Sequence, residues 1–167
     1  MAFDYVNSFY EGGTWAKKVA RRLNDNGVRC RATEVQIAKS NEEREFMTKY
    51  EKDIVFDWSE NCLEVKSSTR DFTDDVLSYP FNSLFVDTVS GYDAKVKKPA
   101  AYVLISQISH GIVCISPKTY DRWRKVSAFD KKREINEWFY SAPKDILIPF
   151  STLVEFLNKK QDDGWWE

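Results

Sequence analysis

In residues 52–68, KDIVFDWSENCLEVKSS, two short β-rich runs flank the turn-forming WSEN, and the pattern predicts a hairpin. Whether its loop holds residues 58–61 or 59–60, the paired positions sum to the same value. Phe56 then stands opposite Leu63, Val55 opposite Glu64, and Asp53 opposite Lys66. Opposed residues share a face, and successive residues alternate between faces. Ile54, Phe56, Leu63 and Val65 therefore make an apolar face that must be core. Asp53, Val55, Asp57, Glu64 and Lys66 lie on the other face, which gathers three carboxylates and an amine.

The flanking sequence predicts more strands and several helices. TWAKKVARRLNDNG reads as a helix with Thr14 as N-cap, Trp15, Val19 and Leu23 on one face, and Gly27 as the stop. VRCRATEVQI alternates as a strand, and KSNEEREFMTKYEK reads as a surface excursion or short helix. SLFVDTV is a further strand, and AAYVLISQ with GIVCIS forms an apolar hairpin. Ser116-Pro117 signals a helix start opening PKTYDRWRKV, while KREINEWFYSAP is ambiguous between element types. DILIP reads as a strand, followed by a helix capped by Ser151. This order predicts an α/β (α+β) fold, a central mixed sheet flanked by helices, with residues 1–167 as one domain.

Composition narrows the function classes. A 43% apolar and 31% charged chain of net charge −1 is globular and carries no overall basic signal for a polyanion, although a local patch suffices. No apolar run spans a bilayer, so no membrane partner is expected, and the first residues do not read as a signal peptide. Cys30, Cys62 and Cys114 lack metal-type spacing, which suits buried thiols in a reducing, cytoplasmic setting. His110, the single histidine, precedes Gly111 and reads as a turn residue.

The polar face of the hairpin carries the chemistry. Two carboxylates on adjacent strands, with a main-chain carbonyl nearby, suit Mg²⁺, a cation that prefers hard oxygen donors. Lys66, two residues past Glu64, would orient an attacking water or stabilise developing charge. Asp53 followed by Glu64-Val65-Lys66 across a hairpin, after a helix and a strand in residues 14–37, resembles the PD-(D/E)xK nuclease superfamily. In that family a helix precedes a sheet whose second and third strands carry an Asp and an (Asp/Glu)-x-Lys. The resemblance covers roughly residues 11–70, and the AAYVLIS strand more loosely. It implies a restriction-endonuclease-like core and hydrolysis of phosphodiester bonds in DNA, or more rarely RNA, with Mg²⁺ or Mn²⁺. Asp53, Glu64 and the Val65 carbonyl would hold the metal, and Lys66 would act on the water. The chain departs from the pattern in having Lys52 where Pro is usual, and in a crossover that looks less helical. Glu11 is the acidic candidate of the first helix, and Asp57 and Ser67 are additional candidates. Compactness with this resemblance implies a phage or mobile-element endonuclease, and many such enzymes act as homodimers.

Cationic clusters could meet the phosphates: Lys17 to Arg22 on the first helix, Lys95 to Lys98, Lys131 to Arg133, and above all Arg122, Arg124 and Lys125 around Trp123. Trp123 itself reads as core. Two rival readings stand beside the nuclease. One is a non-catalytic nucleic-acid- or protein-binding module on the same fold. The other is an unrelated α/β protein in which Asp53 and Lys66 form an ordinary surface ion pair and Trp165-Trp166 serves a partner.

Overall fold

The computed structural model describes residues 5–35, 37–131 and 133–164, with side chains from residue 13 onward. In chain order the elements begin α1 (Tyr5–Asp25), β1 (Arg31–Ala32), α2 (Asn41–Tyr50), β2 (Ile54–Val55), β3 (Cys62–Ser68), β4 (Ser83–Thr88) and α3 (Val89–Ala94). They continue with β5 (Ala101–Ser106), β6 (Ile112–Ile115), β7 (Arg124–Asp130), β8 (Ile135–Pro143), β9 (Ile148–Pro149) and α4 (Phe150–Asp163). Three 3₁₀ turns, at Val76–Ser78, Pro117–Arg122 and Lys144–Ile146, join them.

The runs AYVLIS and IVCI become central strands, buried at every position because both faces of their sheet are covered. That sheet has six strands in the order β1-β2-β3-β5-β6-β9. β3 and β5 run parallel and the other neighbours antiparallel, so the sheet is mixed. On one face Leu63, Val103, Ile105 and Cys114 pack against Val19 and Leu23 of α1 and Leu153 and Leu157 of α4. On the other face Tyr102, Leu104, Val113 and Ile115 pack against Leu84, Val86, Tyr92, Tyr140 and Ala142. Those residues belong to α3 and to a second, three-stranded sheet, β4-β8-β7. The α+β class and the mixed sheet match expectation. Helices flank one face, whereas a second sheet covers most of the other.

Several local expectations are corrected. α1 does not start at Thr14; it runs straight through Gly12-Gly13, because Gly13 lets the helix close on the loop after β1. A Cβ there would lie 2.3 Å from the Val35 side chain. The helix does stop at Gly27, whose φ of +88° closes a paired cap: Gly27 N donates to Asn24 O, and Val28 N to Leu23 O. Among the described residues of the strand expected over 28–37, two, Arg31–Ala32, form β1, and KSNEEREFMTKYEK contains α2, capped by Ser40. Ser116 caps a 3₁₀ turn rather than an α-helix, so Arg124 and Lys125 open β7 instead. Ser151 is not a cap, since α4 already begins at Phe150, whose buried ring anchors the first turn. Trp123 is core, as expected. Glu11 lies in α1, but its side chain, like Trp165 and Trp166, lies outside the described residues.

The loop Phe72–Asp74 is locked to the β5–β6 turn. Arg22 of α1 grips Asp74 with two hydrogen bonds of 2.6 and 3.1 Å and donates to the His110 carbonyl, while Asp74 accepts from Ile112 N. His110 sits at φ 63°, the turn position expected of it. Gly111 is pressed against this loop: a Cβ there would lie 2.1 Å from Phe72 O and 2.6 Å from Thr73 Cα. These neighbours are backbone and cannot swing away. Gly111→Ala is therefore expected to destabilise the fold by about 1–3 kcal/mol, read as a lowered denaturant midpoint at unchanged slope. A variant with a wild-type midpoint would contradict this packing.

Among the described residues, no helix is long and apolar enough to cross a membrane.

Candidate active site

The hairpin forms, but its register differs from expectation by two residues. Ile54 pairs with Leu63 and Val55 with Cys62, which sets Asp53 against Glu64 rather than Lys66. A shift of two preserves which residues share a face, so the predicted polar set survives. The shorter pairing has a further consequence. Beyond Leu63, β2 no longer covers β3, and the edge of β3 is open from Glu64 onward. Asp53 reaches into this gap, and its Oδ2 accepts the Val65 N–H at 2.8 Å. Because N–H and C=O of one strand residue point the same way, the Val65 carbonyl faces the same edge.

Asp53, Glu64, Val65 and Lys66 line a cleft of about 220 Å³ at this edge, with Glu51 and Glu34 also on its wall. The cleft is bounded by Gly13 and Ala16 of α1. Burial, and then the nearby Glu64, pushes the Asp53 carboxyl up to about 6. Glu51, at the end of α2, is raised for the same reasons: partial burial, then Asp53 and Glu64. The cleft thus concentrates negative charge in a desolvated place, an environment that a divalent cation would relieve.

Two residues outside the predicted set complete the site. Asp87 of β4 is 6% exposed and Lys95, just after α3, is 12% exposed. Lys66 Nζ lies 3.0 Å from Glu64 and 3.6 Å from Asp87; Lys95 Nζ lies 3.2 Å from Glu64 and 3.3 Å from Asp87. The four side chains form a closed ring of alternating charge. Tyr102 O–H, 2.8 Å away, and the Thr88 N–H donate to Asp87. Burial works to raise the Asp87 carboxyl, but Lys66, Lys95 and the Tyr102 hydroxyl outweigh it and hold it below the usual range. For Lys66, burial favours the neutral amine, while Glu64, Asp87 and Asp53 together hold its pKa above the ordinary value. Lys66 is thus favoured as an ammonium, suited to stabilising negative charge rather than accepting a proton.

A bulge explains how Asp87 arrives. In β4, Phe85 opposes Ser141 while Asp87 opposes Tyr140, so the register slips at Val86. Ser141 and Tyr140 point to opposite faces of β8, and Phe85 and Asp87 therefore do too, although they are two apart. The sequence alone reads SLFVDTV as a regular strand and cannot show this slip. Lys95 was legible only as part of a basic run, Lys95 to Lys98, whose other members do not join the ring. Lys98 instead donates to the Tyr92 and Lys95 carbonyls.

The remaining candidates fall elsewhere. Asp57 is exposed near the hairpin turn, 3.4 Å from Arg29, and does not line the cleft. Ser67 accepts a hydrogen bond from Gln107. Arg122 pairs with Asp145 at 2.9 Å, and Lys125 lies 5.9 Å from the Tyr140 ring, while Arg124 is exposed at the start of β7. The simple Asp53–Lys66 surface pair is not formed, because the register places Glu64 next to Asp53 and Lys66 turns to Glu64 and Asp87.

Can these groups hold Mg²⁺? Among the described residues, no three histidine, cysteine or carboxylate side chains converge as a ready ligand set. Mg²⁺ does not need one, since it commonly takes one or two carboxylates and keeps waters or substrate oxygens. Asp53, Glu64 and the Val65 carbonyl are hard oxygen donors on one edge, and Asp53 is raised there by burial first and by Glu64 second. The donor chemistry fits.

The same shift has a stability consequence without metal. A carboxyl whose folded-state pKa of about 6 exceeds its ordinary 3.8 penalises the fold above pH 6, and the penalty fades as pH falls toward 3.8. Asp53→Asn, in EDTA, is expected to be more stable than wild type by about 1–3 kcal/mol at about pH 8, with the gap closing toward about pH 4. Thermal melts across that range check it; parallel curves would mean that Asp53 ionises normally.

No protein-family model, curated protein or solved structure matches this chain.

Proposed function

We propose that this protein is a metal-dependent nuclease that hydrolyses phosphodiester bonds, in DNA in preference to RNA. The observation that carries the reading is the convergence of Asp53, Glu64, Val65 and Lys66 on one cleft at the open edge of β3. The order of elements agrees with it. α1 precedes the sheet, Asp53 stands immediately before the second strand, and Glu64 and Lys66 lie on the third. β3 then passes through β4 and α3 to the parallel strand β5, which supplies a crossover with one short helix.

Asp53, Glu64 and the Val65 carbonyl would hold Mg²⁺ or Mn²⁺, which supplies Lewis acidity toward a phosphoryl oxygen and a better water nucleophile. The chain's own part is positional and electrostatic. The Lys66 ammonium, on the wall of the same cleft, would stabilise the negative charge that grows as water adds to phosphorus. One P–O ester bond then breaks, leaving a phosphate monoester on one fragment and a hydroxyl on the other. Asp87, fixed in turn by the Tyr102 hydroxyl, holds Lys66 in place. Three free cysteines accord with a reducing compartment.

One observation favours the alternative, a non-catalytic binding module: both Glu64 oxygens already meet ammonium groups, Lys66 on one and Lys95 on the other. Lys95 must yield for a cation to enter. The two readings separate in one experiment. Supercoiled plasmid, linear duplex, single-stranded DNA and RNA are incubated with the protein in Mg²⁺, Mn²⁺ or EDTA, beside thermal melts with and without metal. The nuclease reading expects metal-dependent cleavage and a raised Tm, because a cation bound only by the folded state stabilises it. No cleavage and no metal-induced shift would leave the binding module.

A further inference from the structure

Lys66 has a second cleft on its other side. It measures about 540 Å³, and Lys66 and Asp87 belong to its wall. The rest of the wall is of a different kind from the acidic edge, mostly aromatic and aliphatic, with Phe81, Phe85 and Phe139 among its rings and the hydroxyls of Ser67, Ser83 and Thr88 among its polar groups. The bulge that turns Asp87 inward leaves Phe85 facing outward, where it is 45% exposed. Phe85 lies stacked on Phe139, with centroids 4.7 Å apart and planes within 9°. Phe81 is likewise exposed, and the Arg70 guanidinium lies 5.6 Å from its ring.

We infer that this cleft is a subsite for an unpaired nucleobase next to the scissile phosphate. This rests on the nuclease reading for which phosphate is cut. Three observations commit it to that occupant. The wall presents flat aromatic surface, on which any base can stack. Hydroxyl groups around it can meet the polar edge of a base. One cation, Lys66, belongs to the wall, and a second, Arg70, lies beside the wall residue Phe81, as suits a ligand that alternates flat rings with phosphates. A base within a duplex has both faces covered by its neighbours and cannot use such a wall. The preferred substrate is therefore single-stranded, flapped or frayed.

The test uses binding without catalysis. A single-stranded oligonucleotide carrying 2-aminopurine, and its duplex, are titrated with the protein in EDTA, following anisotropy and 2-aminopurine fluorescence. Changed 2-aminopurine fluorescence on binding and tighter binding of the single strand are expected. Phe85→Ala and Phe81→Ala should each weaken single-strand binding about tenfold with little effect on duplex, and Phe85→Tyr should restore it. Melts of each variant verify folding, and both phenylalanines are half-exposed. Unaltered fluorescence, equal binding of both forms, or wild-type affinity in both alanine variants would overturn the subsite. Cleavage of duplex with no aromatic dependence would sink it while leaving the nuclease intact. Aromatic-dependent single-strand binding without cleavage in any metal would do the reverse.

Discussion

Lys66→Ala is expected to lower metal-dependent cleavage by about 10²–10³-fold while leaving the metal-induced rise in Tm in place. The ammonium is held charged by Glu64, Asp87 and Asp53, so its loss removes stabilisation of developing negative charge rather than a proton acceptor. Stability should fall as well, though less than on removal of Asp87, because Lys95 still bridges Glu64 and Asp87. Melts of the variant separate that loss from the loss of cleavage. Glu64→Ala should behave differently, abolishing both cleavage and the metal shift. This contrast separates a metal ligand from a charge stabiliser. Full activity of Lys66→Ala at saturating Mg²⁺ would end the assignment of Lys66, and a metal shift that survives Glu64→Ala would end that of Glu64.

Asp87→Ala is expected to be the most destabilising polar substitution in the site, at about 3–5 kcal/mol, a fall in Tm of roughly 6–20 °C. Asp87 is 6% exposed and faces two ammonium groups and the Tyr102 hydroxyl. Truncation leaves Lys95, only 12% exposed, with Glu64 as its one remaining ion-pair partner in the ring, and the Tyr102 O–H without its acceptor. A buried charge whose partner is removed costs far more than a surface pair is worth. Denaturant melts at neutral pH, beside Arg122→Ala as a surface-pair control, decide the point. Equal small losses in both variants would show that the ring contributes no more than an exposed pair.

The polar face of the hairpin was readable because strand alternation has a period of two. An error of two residues in register changes the opposed partners but not the face. Asp53, Glu64 and Lys66 therefore came together as expected even though Asp53 meets Glu64 and not Lys66. β5, β6, the glycine stop of α1 and the His110 turn were legible for similar reasons, each depending on a short window of chain. The start of α1 was misplaced because Gly12-Gly13 reads locally as a break, whereas Gly13 serves close packing against Val35. Asp57 shared the parity of the site but sits too far along the hairpin, beside Arg29.

Local pattern thus determined the class of fold, the apolar face of the hairpin and its Asp53, Glu64 and Lys66. Period and turn chemistry act over a few residues and need no knowledge of distant chain. Tertiary structure alone decided that a second sheet covers the far face of the first, and that Asp87 and Lys95 enter the site. Asp87 arrives through a bulge set by pairing with β8, more than fifty residues later, and Lys95 becomes a ring member only because α3 docks beside β4 and β8. Carboxylates and ammonium groups look alike on a solvated loop and in a buried ring. What separates them is burial and the distance to an opposite charge, quantities created when remote segments pack together.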